Sequence, residues 1–290
     1  MAFSLDFSHF TSELNPATRS LTVTLPPSSI GDKEQDGTYL SFKCLEELES
    51  LFNWLSSRVE ISSVLIQSSG AYFCKGMSPH ELANSGQETL IKYFEKVGRL
   101  VSGAYFLPQT LIVDLGQGAF DVGSELALIG DIRISRSPGH VHFDHLSKGL
   151  APTAGGVAVL SSILSPSHVR NYLLGGAPIS SEDMKLSGLV FDTYQDRIER
   201  ENLLSQLLER INAQSPIARI QAKRALLETI LKQLEIGMSV ERSVTFGTLA
   251  FSDWKTYAQA KLANEKPSFA KANQLAAQIK RSAKETSAQN

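Results

Sequence analysis

Apolar residues recur along this chain at two distinct periods. In 20-SLTVTL-25 they alternate with polar ones and several are β-branched, which predicts a strand, and Pro26-Pro27 ends it. Residues 28–37 are polar, with Gly31, Asp32, Asp36 and Gly37, and read as a loop. Over residues 41–57 the period lengthens: Phe42, Leu45, Leu48, Leu51, Phe52 and Leu55 fall at three- and four-residue spacing, the pattern of an amphipathic helix. The run 62-SSVLIQS-68 is short, apolar and bounded by Ser and Gly, as in a strand buried on both faces. Residues 73–83 read as a loop entering a short helix, and residues 88–101 as a second helix. A strand at 110-TLIVDL-115 leads through a Gly-punctuated turn to a helix starting near Gly123. Another strand lies around 131-DIRIS-135, then a loop carries His140, His142, Asp144 and His145. After Gly155-Gly156 the pattern is mostly helical. No strand is expected beyond about Thr193, only long helical stretches such as 201-ENLLSQLLERI-211 and 219-RIQAKRALLETILKQLEI-236. The polar, Ala- and Lys-rich tail after Phe269 is helix-compatible and expected to fray. Strands alternating with helices imply crossover units and a mainly parallel sheet.

Composition narrows the class. At 290 residues and 42% hydrophobic content the chain can bury a large core. A formal charge of −2 gives no electrostatic drive toward nucleic acid or an anionic membrane. Two cysteines, Cys44 and Cys74, imply no disulfide framework and fit a reducing compartment. The N-terminal residues lack a basic region followed by an apolar one, and no run approaches the ~20 apolar residues that span a bilayer. A globular cytoplasmic protein is expected.

Three stretches carry candidate chemistry. In 70-GAYFCKGMSPHEL-82, small and turn-forming residues after a strand expose backbone N–H groups that can hold an anion, although an ordinary strand-to-helix loop would look the same. In 116-GQGAFDVGSEL-126, Gly116-x-Gly118 follows a strand as in a dinucleotide fingerprint, but Asp121 stands where its third glycine belongs and no acidic ribose ligand follows. Glu125 opens the apolar run Leu126–Ile129. A buried carboxylate there must be paired or tuned for proton transfer; an exposed first-turn glutamate favoured by the helix dipole is the alternative. In 140-HVHFDH-145 three histidines and an aspartate could be metal ligands, loop residues, or a source of one proton-transferring imidazole. No further Cys or His cluster completes a metal site, so no metal is expected. Cys74 reads as a small buried apolar residue.

Taken in order, these segments resemble the crotonase (enoyl-CoA hydratase/isomerase) superfamily from about Leu21 to Phe269. The stretch 62-SSVLIQSSGAYFCKGMSPHEL-82 is similar to the family's strand and Phe-Cys-Ala-Gly-Ala-Asp loop, and 118-GAFDVGSELALIGDIRIS-135 to its glycine-rich turn, glutamate, helix and strand. The stretch 149-GLAPTAGGVAVLSSIL-164 resembles Gly-x-x-Pro-x-x-Gly-Gly and its helix. Residues 174–190 resemble the Leu-Thr-Gly to Gly-Leu-Val segment, and 241–269 the C-terminal helices.

The resemblance implies an α/β fold, a crotonase-like spiral of ββα units over residues 1–192 with a helical C-terminal region, 193–290, for oligomerisation and pocket cover. It implies an acyl-CoA thioester as substrate, no separate cofactor, no nucleic-acid or membrane partner, and a homo-trimer or hexamer. Two backbone N–H groups would form an oxyanion hole for the enolate, and they fall on Met77 and Val122. The family's first catalytic glutamate matches Glu125, and its second position falls on His145. Lys75, Gly76 and Gly123 would border the substrate. The departures are Lys75 and Met77 for small residues, Ser78 for the loop aspartate, and Asp121 and Val122 for glycines. An ionised Asp121 facing inward would oppose enolate formation. The resemblance therefore admits an enoyl-CoA hydratase/isomerase-like enzyme, or a degenerate relative that binds an acyl-CoA or a partner without turnover.

Overall fold

The computed structural model describes residues 7–30, 33–34 and 36–269; the tail whose fraying the sequence predicts lies outside the described residues. The alternating stretch forms β2 (Ser20–Leu25), and β1 (Thr11–Asn15) pairs antiparallel with it. Within the polar stretch read as a loop lie three two-residue strands, β3 (Ser29–Ile30), β4 (Lys33–Glu34) and β5 (Gly37–Thr38). A two-residue strand has no period for a sequence to display. Next comes α1 (Phe42–Leu55), whose N-terminus is capped by the Ser41 hydroxyl accepting from the Cys44 N–H, and whose apolar stripe is buried.

The middle of the chain runs β6 (Ser63–Ser68), β7 (Tyr72–Cys74), α2 (Pro79–Asn84), α3 (Gln87–Tyr105), β8 (Thr110–Asp114), β9 (Gly118–Phe120), α4 (Val122–Ala127), β10 (Ile132–Arg136) and β11 (His140–His142). A 3-10 turn, Asp144–Lys148, then leads to α5 (Gly156–Ile163) and α6 (Pro166–Leu173). The remainder is β12 (Ile179–Ser180), α7 (Ser181–Leu186), β13 (Asp192–Tyr194), α8 (Arg197–Asn212), α9 (Pro216–Leu249) and α10 (Asp253–Leu262). Strands thus continue through Tyr194, past the point where the sequence pattern ends them, because β13 is held by pairing with β10 rather than by its own residues.

Two sheets stack. One has the order β1-β2-β6-β8-β10-β13 and is parallel except for β1; the other is β12-β11-β9-β7-β5, parallel except for β12. Each repeat gives one strand to each sheet and then turns helical, which is the spiral of ββα units. Strands such as 64-VLI-66 are apolar on both faces because both faces are covered. Val64 and Ile66 enter the main core, while Leu65 joins Ile112, Ile134 and Tyr194 beneath Leu204, Leu207 and Ile211 of α8. The 192/193 boundary falls inside β13, and α8 and α9 pack directly on the spiral.

Candidate active site

The site is built where α4, the 3-10 turn and the first turn of α5 converge. All six residues of α4 are buried. Gly123 permits this, since a Cβ there would lie 2.6 Å from the Cys74 carbonyl oxygen. Just before α4, Asp121 has φ 55° and ψ −132°, a conformation that costs a non-glycine residue about 1–3 kcal/mol and clusters at functional sites.

Glu125 is fully buried. Its Oε1 accepts from the N–H groups of Thr153 (2.8 Å), Ala154 (2.9 Å) and Gly156 (3.1 Å), donors that the start of α5 leaves without helical partners. Its Oε2 lies 3.1 Å from His145 Nε2. A second buried carboxylate, Glu241 of α9, takes the intervening donors of Gly155 (2.8 Å), Val157 (3.1 Å) and Ala158 (2.8 Å). Burial, then the charge of Glu125, pushes the Glu241 carboxyl up to about 7 against the pull of these amides.

His145 is fully buried in the 3-10 turn. Its Nε2 also lies 3.1 Å from Asp121 Oδ1, but its hydrogen-bond alignment is toward Glu125. Nδ1 has no partner among the described residues. Burial lowers the imidazole pKa, but Asp121, then Glu125 and its hydrogen bond, then Asp144 overcome that and raise it to about 9. Lys148 places Nζ 3.1 Å from Asp121 Oδ2 and 3.2 Å from Asp144 Oδ2. Burial pushes the Asp121 carboxyl up, yet Lys148, His145 and the Val122 N–H hold it below its ordinary value. The cluster is an alternating chain, Asp144–Lys148–Asp121–His145–Glu125, fully buried at its Glu125 end and reaching solvent at Asp144.

Glu125 and His145 therefore meet directly rather than across a gap. Gly76, with φ +73°, lies against Asp121: a Cβ on it would stand 2.9 Å from Oδ2. The Met77 N–H has no acceptor among the described residues. Lys75 is engaged elsewhere, its Nζ on the Asp36 carboxylate and over the rings of Tyr39 and Tyr72. Of the other histidines, His142 Nε2 meets the Gly176 carbonyl oxygen and His140 stacks edge-on to Phe120. Among the described residues no group of three His, Cys, Asp or Glu is placed to hold a metal ion.

Sequence reasoning passed over Lys148 and Glu241. Lys148 left a signal, the four-residue spacing from Asp144. Glu241 left none, being one of several glutamates on a long polar helix. Two features bound the site. Helix α10 closes it: a Cβ on Gly149 (φ +68°) would lie 2.6 Å from the Trp254 backbone nitrogen, and Trp254 is buried. A cavity of about 630 Å³ between α3 and α9, lined by Phe94, Tyr105, Leu231 and Met238 together with Arg99 and Arg242, reaches Thr153, whose hydroxyl is buried without a partner among the described residues.

A family described as Enoyl-CoA hydratase/isomerase matches residues 37–272. The 2,3-dehydroadipyl-CoA hydratase of Escherichia coli (strain K12) is 24% identical over 205 residues, 71% of this chain and 78% of that protein. Mitochondrial methylglutaconyl-CoA hydratase of Mus musculus is 22% identical over 218 residues, 74% of this chain and 69% of that protein. The crystal structure of an enoyl-CoA hydratase from Mycobacterium avium subsp. paratuberculosis K-10 superposes with a TM-score of 0.79 at 18% identity, over 92% of this chain and 100% of that one.

Proposed function

This chain belongs to the enoyl-CoA hydratase/isomerase family, and from that premise we propose that it binds an acyl-CoA thioester and moves a proton along its acyl group. The observation that carries the reading is the buried Glu125–His145 contact, with one carboxylate oxygen fixed by three amides and the other on the imidazole. Glu125 is the base that takes a proton from the carbon beside the thioester, and the electron pair moves to the thioester oxygen. The N–H groups of Met77 and Val122 hold that oxygen, with Gly76 and Gly123 giving the backbone its close approach. The imidazolium of His145 gives a proton to the γ carbon of the resulting dienolate, which moves the double bond into conjugation. The proton on Glu125 then passes to His145 across their contact and resets the pair. The 3.1 Å between the two groups leaves no room for a bound water, which favours isomerisation over hydration. The cavity beside Thr153, apolar along Phe94, Leu231 and Met238 and charged at Arg99 and Arg242, takes the acyl chain.

The test is a panel of enoyl-CoA esters assayed for binding, for double-bond migration and for exchange of the α-hydrogen in D₂O. Exchange and migration that both vanish in Glu125→Gln support the reading; hydration with no migration would replace isomerisation by hydratase chemistry. The buried Asp121 carboxylate supports a second reading, binding without turnover. Tight binding with no exchange from any ester selects it.

A further inference from the structure

The first turn of α5 is held by two carboxylates that come from different helices. Glu125 of α4 accepts from the amides of Thr153, Ala154 and Gly156, and Glu241 of α9 from those of Gly155, Val157 and Ala158. The two sets interleave at Gly155, whose φ of +103° is open to glycine and strained for other residues. One carboxylate therefore cannot shift without moving the donors of the other. Glu241 is 4% exposed, and among the described residues its carboxylate meets amides and no cation. Burying a charge without a counter-charge is costly, and a second carboxylate on the same run of amides adds to the cost. A local hydroxyl or carboxamide is enough to cap a helix start, so capping alone does not account for Glu241.

A second contact of α9 falls on the same segment. One turn beyond Glu241, the buried hydroxyl of Thr245 lies 3.2 Å from the Pro152 carbonyl oxygen and 3.0 Å from the Glu241 carbonyl oxygen of its own helix, and donates between them. Helix α9 thus grips the cradle of Glu125 at both ends, by a hydroxyl at residue 152 and by a carboxylate at residues 155–158. We propose that Glu241 is a positioning residue for catalysis: with Thr245 it locks the amides of residues 153–156 onto Oε1 of Glu125, which leaves Oε2 as the oxygen that carries the proton and fixes its aim at His145. This rests on the acyl-CoA reading of the site, in which Glu125 is the base. Removing Glu241 loosens the base and not the pocket, so the loss falls on kcat and leaves KM in place.

The test uses Glu241→Gln and Thr245→Val, with Leu227→Ala as a stability control. Gln keeps the length of Glu but turns a donor toward one of the amides; Val keeps the shape of Thr and removes its hydroxyl. Leu227 is buried on α9, roughly four turns before Glu241 and outside the cavity lining. With 3-hexenoyl-CoA, both site variants should lose about 10–10²-fold in kcat with KM nearly unchanged, the scale of a displaced catalytic group. Leu227→Ala should unfold at a lower temperature and keep its kcat. An arm without substrate follows the His145 ring by ¹³C NMR. The hydrogen bond from Glu125 helps to hold that ring up at about 9, so its titration should move down in both site variants and stay in place in Leu227→Ala. An unmoved His145 titration in the site variants overturns the proposal, and so does wild-type kcat in both; the acyl-CoA reading stands as long as wild type turns the ester over. If wild type moves no double bond in 3-hexenoyl-CoA, that reading falls, and the His145 titration alone decides whether Glu241 positions Glu125. An equal loss of kcat in Leu227→Ala, or failure of both site variants to fold, makes the contact a clamp on the fold and overturns the proposal.

Discussion

An imidazole with carboxylates around one nitrogen and no partner on the other among the described residues is a proton donor in waiting, and His145 has that arrangement. Its ring is expected to titrate near 9 by ¹³C NMR, against about 6.5 for a free histidine, and to fall in Glu125→Gln, which removes one of the charges that raise it. The sign for stability follows. A raised folded pKa stabilises the protein fully below about pH 6.5, and that contribution is lost as pH rises through about 9. Urea unfolding of wild type against His145→Gln should show the difference shrinking over that window; a constant difference would mean that the ring is neutral. For catalysis, Glu125→Gln should lower turnover by ~10²–10⁴-fold while the far-ultraviolet dichroism stays unchanged. How far single residues were legible depended on local pattern. Glu125 and His145 stood out as charged groups at fixed distances from glycine turns. The inward turn of Asp121 did not, because it is set by a backbone conformation that the residue itself disfavours.

At the scale of elements, the first turn of α5 is shared. Six successive amides, Thr153 to Ala158, divide between Glu125 and Glu241. Residues 149–156 could be read as a glycine-rich entry to a helix, but the second partner capping it, Glu241, comes from 83 to 86 residues away on α9, and no local spacing reveals such a contact. Glu241→Ala leaves buried donors without acceptors and should cost about 1–3 kcal/mol in chemical denaturation. Glu241→Gln isolates the charge. The carboxyl keeps its proton up to about pH 7 when folded but releases it near 4.5 when unfolded, so wild type should lose stability between those values and level off above. Subtracting the Gln variant's stability from the wild type's at each pH should expose that decline. A flat difference would place Glu241 in water rather than against the amides. The short strands β3, β4, β5 and β13 were hidden for a related reason: their pairing partners, not their own residues, make them strands.

Across the whole molecule, the alternation of strand and helix was enough to anticipate parallel sheets, because each buried run had the length and flanking turns of a strand. What the pattern did not separate was which apolar helix faces stay inside the chain. The stripe Leu204, Leu207, Ile211 of α8 is covered by the sheet of its own chain. On α9 the outcome differs. Leu227 and Leu234 are buried, but Ile236, Val240 and Val244 stand 58%, 57% and 50% exposed at four-residue spacing, a continuous ridge along one helix. Leaving such a ridge in water forgoes hydrophobic stabilisation of ~25 cal/mol for each Å² and exposes the kind of contiguous apolar patch that marks an interaction surface. The expected partner, implied by the family resemblance, is a second copy of the same chain in a trimer or a pair of trimers. Multi-angle light scattering at micromolar concentration should then give a mass that is a multiple of 31.7 kDa. Val240→Glu, which puts a charge in the middle of the ridge without touching a buried side chain, should shift the protein to a lower mass while its unfolding midpoint changes little. Wild type running as a clean monomer would end the assembly argument, and an oligomer unaffected by Val240→Glu would move the interface off α9.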